Sequence, residues 1–165
     1  MPCNCRVKEP SIPLNEEWGP VMWRVLHGLA QKSGTIVDPI NRMEELNIWP
    51  RLIKVLTQGL PCDDCRDHFT EWLKSNPFKL PANYSQITEY NKKWLFDLHN
   101  NINVKNNKQQ FNYDDLNEIY SNIPLKLTID MLNKIVNKSV KAGVVKLLSW
   151  SSTIKYIQNL LFIYN

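Results

Sequence analysis

Along most of this 165-residue chain the apolar positions recur in steps of three and four, the mark of helices that turn one face to a core. Trp18, Met22, Leu26, Leu29 and Ala30 trace such a face. They predict a first helix over 18–31, with Pro20 tolerable in its first turn and Gly34 as its end. Leu46, Leu52, Ile53 and Leu56 predict a second over 43–58. Pro50 is expected to split or kink it, and Gly59 to stop it. Pro61 and Cys62 open a third helix that runs to Lys74. Asp63, Asp64 and Asp67 fall in its early turns, where negative charge suits the helix dipole. Asn76, Pro77 and Pro81 read as the next connection. Tyr90, Trp94, Leu98 and Ile102, four apart, place a fourth helix over 85–104. A short fifth is predicted over 113–120, and two more over about 126–142 and 144–163. No strand-like alternation and no internal repeat stands out. The expected fold is all-α, a helical bundle.

Composition narrows the function classes. A chain with 43% hydrophobic and 22% charged residues is globular, and its length suits one domain with a sizeable core. Five glycines, with no phosphate-cradling loop and no Rossmann fingerprint, exclude the usual dinucleotide folds. A net charge of +4 is mild. Without a helix-turn-helix signature or a dense arginine patch, nucleic-acid binding is not expected. Residues 1–13 contain Pro2, Pro10 and Pro13 and read as a flexible lead. The stretch 1–17 has no apolar run, so ordinary secretion is not expected. Residues 144–164 are apolar but interrupted by Lys146 and Lys155. They read as a packed or interfacial helix rather than a membrane span.

The candidate chemistry lies in the cysteines, which fall in two close pairs, Cys3 with Cys5 and Cys62 with Cys65. A Cys-x-x-Cys pair at a helix N-terminus can cycle between dithiol and disulfide, because the helix end stabilises a thiolate. Asp63 and Asp64 oppose that by like charge. His68 follows Cys65 by three residues, on nearly the same face. Zinc is an alternative, with Cys62 and Cys65 joined by two of Cys3, Cys5, His27, His68 and His99. Inert core cysteines are another. Cys3 and Cys5, on a lead, could take up electrons from a substrate and pass them to the core pair by thiol–disulfide exchange. Net disulfide formation needs an electron acceptor, and a flavin can hand two electrons to oxygen. A bundle with three histidines and six tryptophans permits a flavin without establishing one.

Three motifs in order carry a resemblance. They are Trp18-Gly19-Pro20-x-x-Trp23-x-x-x-His27-x-x-Ala30, then Pro61-Cys62-x-x-Cys65-x-x-His68-Phe69, then Trp94 with His99-Asn100-x-Ile102-Asn103, Lys108 and Phe111. Over roughly residues 16–120 the chain resembles the Erv/ALR family of FAD-linked sulfhydryl oxidases. The resemblance implies a four-helix bundle with a short fifth helix, holding FAD, and oxidation of substrate thiols with oxygen reduced to hydrogen peroxide. It implies that Cys65 faces the flavin and that the more accessible Cys62 exchanges with substrate or with a shuttle made by Cys3 and Cys5. Trp18, Trp23, His27, His68, Trp94, His99, Asn100, Ile102, Asn103 and Lys108 match cofactor-binding positions, with Ile102 where valine is more usual and Lys108 near the pyrophosphate. Trp94 is expected on the adenine side.

The chain also departs from the pattern. It has no cysteine after Cys65, so packing must replace a staple that many members carry. Ser33 and Gly34 stand where Tyr-Pro is usual. Lean versions of this kind resemble the oxidases of large cytoplasmic DNA viruses. That likeness implies action in host cytoplasm or the virion, on virion proteins or a thioredoxin-like relay protein, with the mitochondrial intermembrane space as the alternative. A homodimer is expected. The organisation expected is an arm over 1–15, an oxidase domain over 16–120 and a helical extension over 121–165. The rivals are a zinc-stabilised helical adaptor and a cofactor-free interaction protein.

Overall fold

The computed structural model describes residues 11–165, and these are all helix and connections. Helix α1 spans Asn15–Lys32. Its start precedes the apolar stripe because the Glu17 carboxylate reaches back to accept from the Leu14 N–H at 2.7 Å, satisfying a group the helix leaves unpaired. Helix α2 spans Pro39–Gly59 and also begins earlier than the apolar pattern suggests. Asp38 caps it by accepting from the Asn41 N–H at 2.8 Å, and Pro39 supplies a preset first φ. Pro50 does not split it. Proline removes one ladder bond, and the burial of Ile48, Trp49, Leu52 and Ile53 on both sides of it holds the helix together.

Helix α3 spans Asp63–Ser75 and α4 spans Ile87–Lys105. The short α5, Leu116–Tyr120, follows a single 3-10 turn. Helices α6, Leu125–Lys141, and α7, Leu147–Ile163, complete the chain. Between them Gly143 adopts φ +75°. The Val144 N–H reaches the Ser139 carbonyl at 2.9 Å and the Gly143 N–H reaches Val140 at 3.0 Å. This paired cap turns the chain sharply, so α7 starts three residues later than the apolar pattern suggests.

The helices share one core. Helix α4 packs on α1, α3 on α2, α6 on α1 and α7 on α2. Val25, Leu29, Trp49, Leu52 and Leu95 are fully enclosed together with Leu132, Val136, Ile157 and Leu160 of α6 and α7. At one end of the bundle the start of α1, the start of α3 and the last turns of α4 converge, because Asn15 reaches Cys62 and His68 reaches Asn101. Among the described residues no helix is long and apolar enough to cross a membrane.

Candidate active site

Cys62 is the N-cap residue of α3, with extended backbone, and its sulfur accepts the Cys65 N–H at 3.2 Å. The two form a disulfide with a Cα–Cα separation of 5.2 Å. Both are half-buried at the edge of the core. The spacing follows from the element: a cap residue and the third helical residue lie one turn apart, within bonding range. The Asn15 amide donates to the Cys62 sulfur at 3.7 Å, and the buried Trp18 indole N–H donates to the Asn15 oxygen at 3.1 Å. Trp18 thus orients Asn15 over the sulfur.

Arg66 fixes this turn. Its guanidinium pairs with Asp63, donates to the Leu60 carbonyl at 2.5 Å and reaches the Val144 carbonyl at 3.3 Å. It offsets the acidic charge beside Cys62 and ties α3 to the α6–α7 connection. Asp64 stays exposed.

Deeper in the bundle lies an aromatic cluster. Trp23 and His99 stack with centroids 3.9 Å apart and planes within 8°. His27 stacks on Tyr120 at 4.4 Å. His27 Nε2 and His99 Nδ1 are 3.1 Å apart, so one ring nitrogen donates and the other accepts. Burial, aided by His99, lowers the His27 pKa to about 3. Burial, aided by the charge of Lys108, lowers that of His99 to about 4. Both rings are neutral at pH 7. The imidazole of His68 meets the Asn101 oxygen at 3.1 Å, and its pKa is lowered by burial and by the nearby Lys105 charge.

Asn100 and Asn103 act on the loop that follows α4. The buried Asn100 amide donates to the Phe111 carbonyl at 2.9 Å and accepts the Phe111 N–H at 3.2 Å. The Asn103 backbone carbonyl accepts the Lys108 N–H at 2.8 Å, and its side-chain amide donates to the Asn100 oxygen at 3.4 Å. Asn107 turns this loop with φ 54°, a region that asparagine tolerates better than most residues. Lys108 is exposed, and Ile102 packs against the core. Trp94 sits edge-on against Trp72 and Phe78 at 5.0 and 4.9 Å and donates to the Asn76 carbonyl at 3.3 Å. It belongs to the aromatic core beneath α3.

The structure therefore gathers Trp23, His27 and His99 directly, and links His68 to α4. Cys3 and Cys5 lie outside the described residues. Asn15, Arg66, Lys105 and Tyr120 join the site without a motif to flag them. Only Asn15 carries a local signal, as a side-chain amide one turn before Trp18. Among the described residues no group of three histidine, cysteine or carboxylate side chains comes together as a metal site. A flat, uncharged aromatic platform with the Lys108 charge near His99 suits a planar heteroaromatic ring with attached phosphates. A cavity of about 510 Å³ runs beside the same loop, lined by Phe96, Asn100, Asn101, Val104 and Phe111 among others.

The sequence model of the Erv1 / Alr family matches residues 20–121. A protein named FAD-linked sulfhydryl oxidase from African swine fever virus is 33% identical over 109 residues, spanning 66% of this chain and 84% of that protein. FAD-linked sulfhydryl oxidase ERV1 from Arabidopsis thaliana is 32% identical over 88 residues, spanning 53% of this chain and 41% of its own. The rice protein of the same name is 31% identical over 90 residues, with the same coverage, 53% and 41%. No solved structure gives a significant match.

Proposed function

The chain belongs to the Erv1/Alr family, and from that membership we infer that it is a FAD-linked sulfhydryl oxidase. It joins pairs of thiols as disulfides and passes their electrons to oxygen, so that 2 RSH + O2 gives RSSR + H2O2. The observation that carries the reading is the Cys62–Cys65 disulfide at the cap of α3, at the end of the bundle where α1, α3 and α4 meet.

The donor set fits the cofactor. The stacked Trp23–His99 pair would present an outer flat face, its neutral imidazole is held in place by the buried His27, and Lys108 would offer a point charge for a pyrophosphate. Asn100 and Asn103 hold the loop that carries Lys108. When bound, FAD supplies a two-electron acceptor that oxygen can reoxidise.

The chain's own sulfurs do the exchange. A substrate thiolate attacks Cys62, the Cys62–Cys65 bond breaks, and Cys65 leaves as a thiolate, which the N-terminus of α3 favours. A second substrate thiolate then attacks the mixed disulfide and releases Cys62. We assign attack to Cys62 because it precedes the helix, and Cys65 to the cofactor side. Cys3 and Cys5 are the proposed relay. Helix α1 starts with Asn15 beside the Cys62 sulfur, and the ten residue steps from Cys5 to Asn15 extend at most about 35 Å. That reach supports delivery within one chain. The African swine fever virus relatives support a viral setting, in host cytoplasm or the virion, with virion proteins or a relay protein as substrates. A homodimer is proposed, to be tested by solution mass.

The visible spectrum of the purified protein tests the reading. Flavin bands near roughly 450 nm, with FAD released on denaturation, are expected. Cys65→Ser should abolish dithiothreitol turnover. The double change Cys3→Ser/Cys5→Ser should keep that turnover and slow oxidation of a protein substrate. A colourless folded protein that does not take up added FAD would overturn the oxidase reading.

A further inference from the structure

We propose that the cleft between the first turn of α3 and the α6–α7 connection is the docking groove for the thiol-bearing polypeptide, and that it selects a carboxylate-rich segment. The inference rests on the oxidase reading and adds to it what the substrate looks like.

The cleft has a volume of about 440 Å³ and is lined by Gln58, Asp63, Arg66, Gly143, Val144 and Lys146 among others. Asp63 is the residue next to Cys62, so the groove opens one peptide unit from the exchanging cysteine. Its far wall is the sharp turn at Gly143, held to α3 by the contact of Arg66 with the Val144 carbonyl at 3.3 Å. That wall lies beyond residues 20–121, where the family pattern ends.

Charge sets the occupant. From residue 131 to 165 the chain carries Lys134, Lys138, Lys141, Lys146 and Lys155 and no aspartate or glutamate. Lys141 and Lys146 stand exposed on the two sides of the turn, and neither is among the ion pairs formed by the described residues. Asp63 is already paired with Arg66. Asp64 and Asp67 are exposed on α3, so the attraction comes from the α6–α7 wall. Residues 1–10 carry Arg6 and Lys8 against Glu9 alone, so the chain's own lead does not match this wall. An acidic partner segment does. Docked there, it presents a thiolate directly to the Cys62 sulfur, a route that runs beside the Cys3–Cys5 relay. The new sulfur–sulfur bond forms to Cys62, and the electron pair of the broken bond goes to Cys65. The substrate's second thiolate then completes its disulfide, with both thiol protons released to water.

The test uses the FAD-loaded full chain and the variant Lys141→Glu/Lys146→Glu, whose thermal stability is checked first. The probes are two reduced peptides with one shared Cys-x-x-Cys, flanked by glutamates in one and lysines in the other, and dithiothreitol. The native protein should show a KM for the glutamate peptide about tenfold below that for the lysine peptide, a gap that narrows as salt rises. The variant should erase or invert the preference and leave kcat and dithiothreitol turnover unchanged. Fluorescence anisotropy of a glutamate peptide with serines for cysteines should show the same loss of binding. No charge preference in the native protein, a preference that survives the charge reversal, or an equal fall in dithiothreitol turnover would overturn the proposal. Failure of the oxidase reading is separate: no flavin bands and no dithiothreitol turnover in the native protein.

Discussion

His27 and His99 sit where neutrality is enforced by enclosure. Their folded pKa values, about 3 and about 4, lie below the ordinary 6.5. The unfolded chain therefore binds more protons once pH drops below 6.5. Stability from this pair is complete above that value and drains as pH falls toward 4, by up to about 1.4 kcal/mol per pH unit for each ring. The thermal midpoint should thus fall between pH 7 and pH 5, and His27→Phe, which cannot titrate, should show a shallower slope. A midpoint equal at both pH values would refute this account. In the proposed oxidase site the same neutrality would leave no fixed positive charge from these two rings beside a stacked cofactor.

The helices α2 and α7 approach most tightly where Gly59 faces Thr153. A Cβ added at Gly59 would lie 2.1 Å from the Thr153 hydroxyl and 3.2 Å from its Cβ. Thr153 is fully buried, and its hydroxyl donates to the Ser149 carbonyl, so it cannot swing away freely. Gly59→Ala should force α7 off α2 and cost about 1–3 kcal/mol. Adding Thr153→Ala should recover part of that loss, and a double-mutant cycle by chemical denaturation measures the coupling. Because Gly59 also ends the helix that leads into Pro61 and Cys62, the seam sets how α3 leaves the bundle. Packing at α7 is thereby coupled to the placement of the disulfide.

Across the whole molecule, the last two helices are part of the core and not an appendage. Tyr164 donates to the Glu45 carboxylate at 2.6 Å and accepts the Trp49 indole N–H at 2.8 Å. Glu45 is fully buried, and its other partners are the Tyr84 hydroxyl and the Gly34 N–H, the latter at 2.9 Å. A buried carboxylate that loses a donor is costly, so Tyr164→Phe should destabilise by about 1–3 kcal/mol. Truncation after residue 122 strips α6 and α7 from α1 and α2 and exposes Trp49, Leu52 and Ile53. It should yield an aggregating or unfolded chain, read by circular dichroism and light scattering. A soluble, cooperatively folding truncate would show that the shorter bundle stands alone.

The seven helices of the described residues were legible in the apolar periodicity, which is local and strong enough to survive without context. The closeness of Cys62 and Cys65 was legible too, because the Cys-x-x-Cys spacing and the helix start are properties of consecutive residues. The motif residues Trp23, His27 and His99 were legible for the same reason. The helix starts at Asn15 and Pro39 were not, since they depend on caps rather than on apolar faces. That Pro50 is tolerated depends on the folded core, because packing on both sides outweighs one missing hydrogen bond. So do the approach of Asn15 and Arg66 to the sulfur turn and the walling of the core and the cleft beside Cys62 by α6 and α7. Those contacts join residues 47 and 78 positions apart, and only the folded chain brings such pairs together.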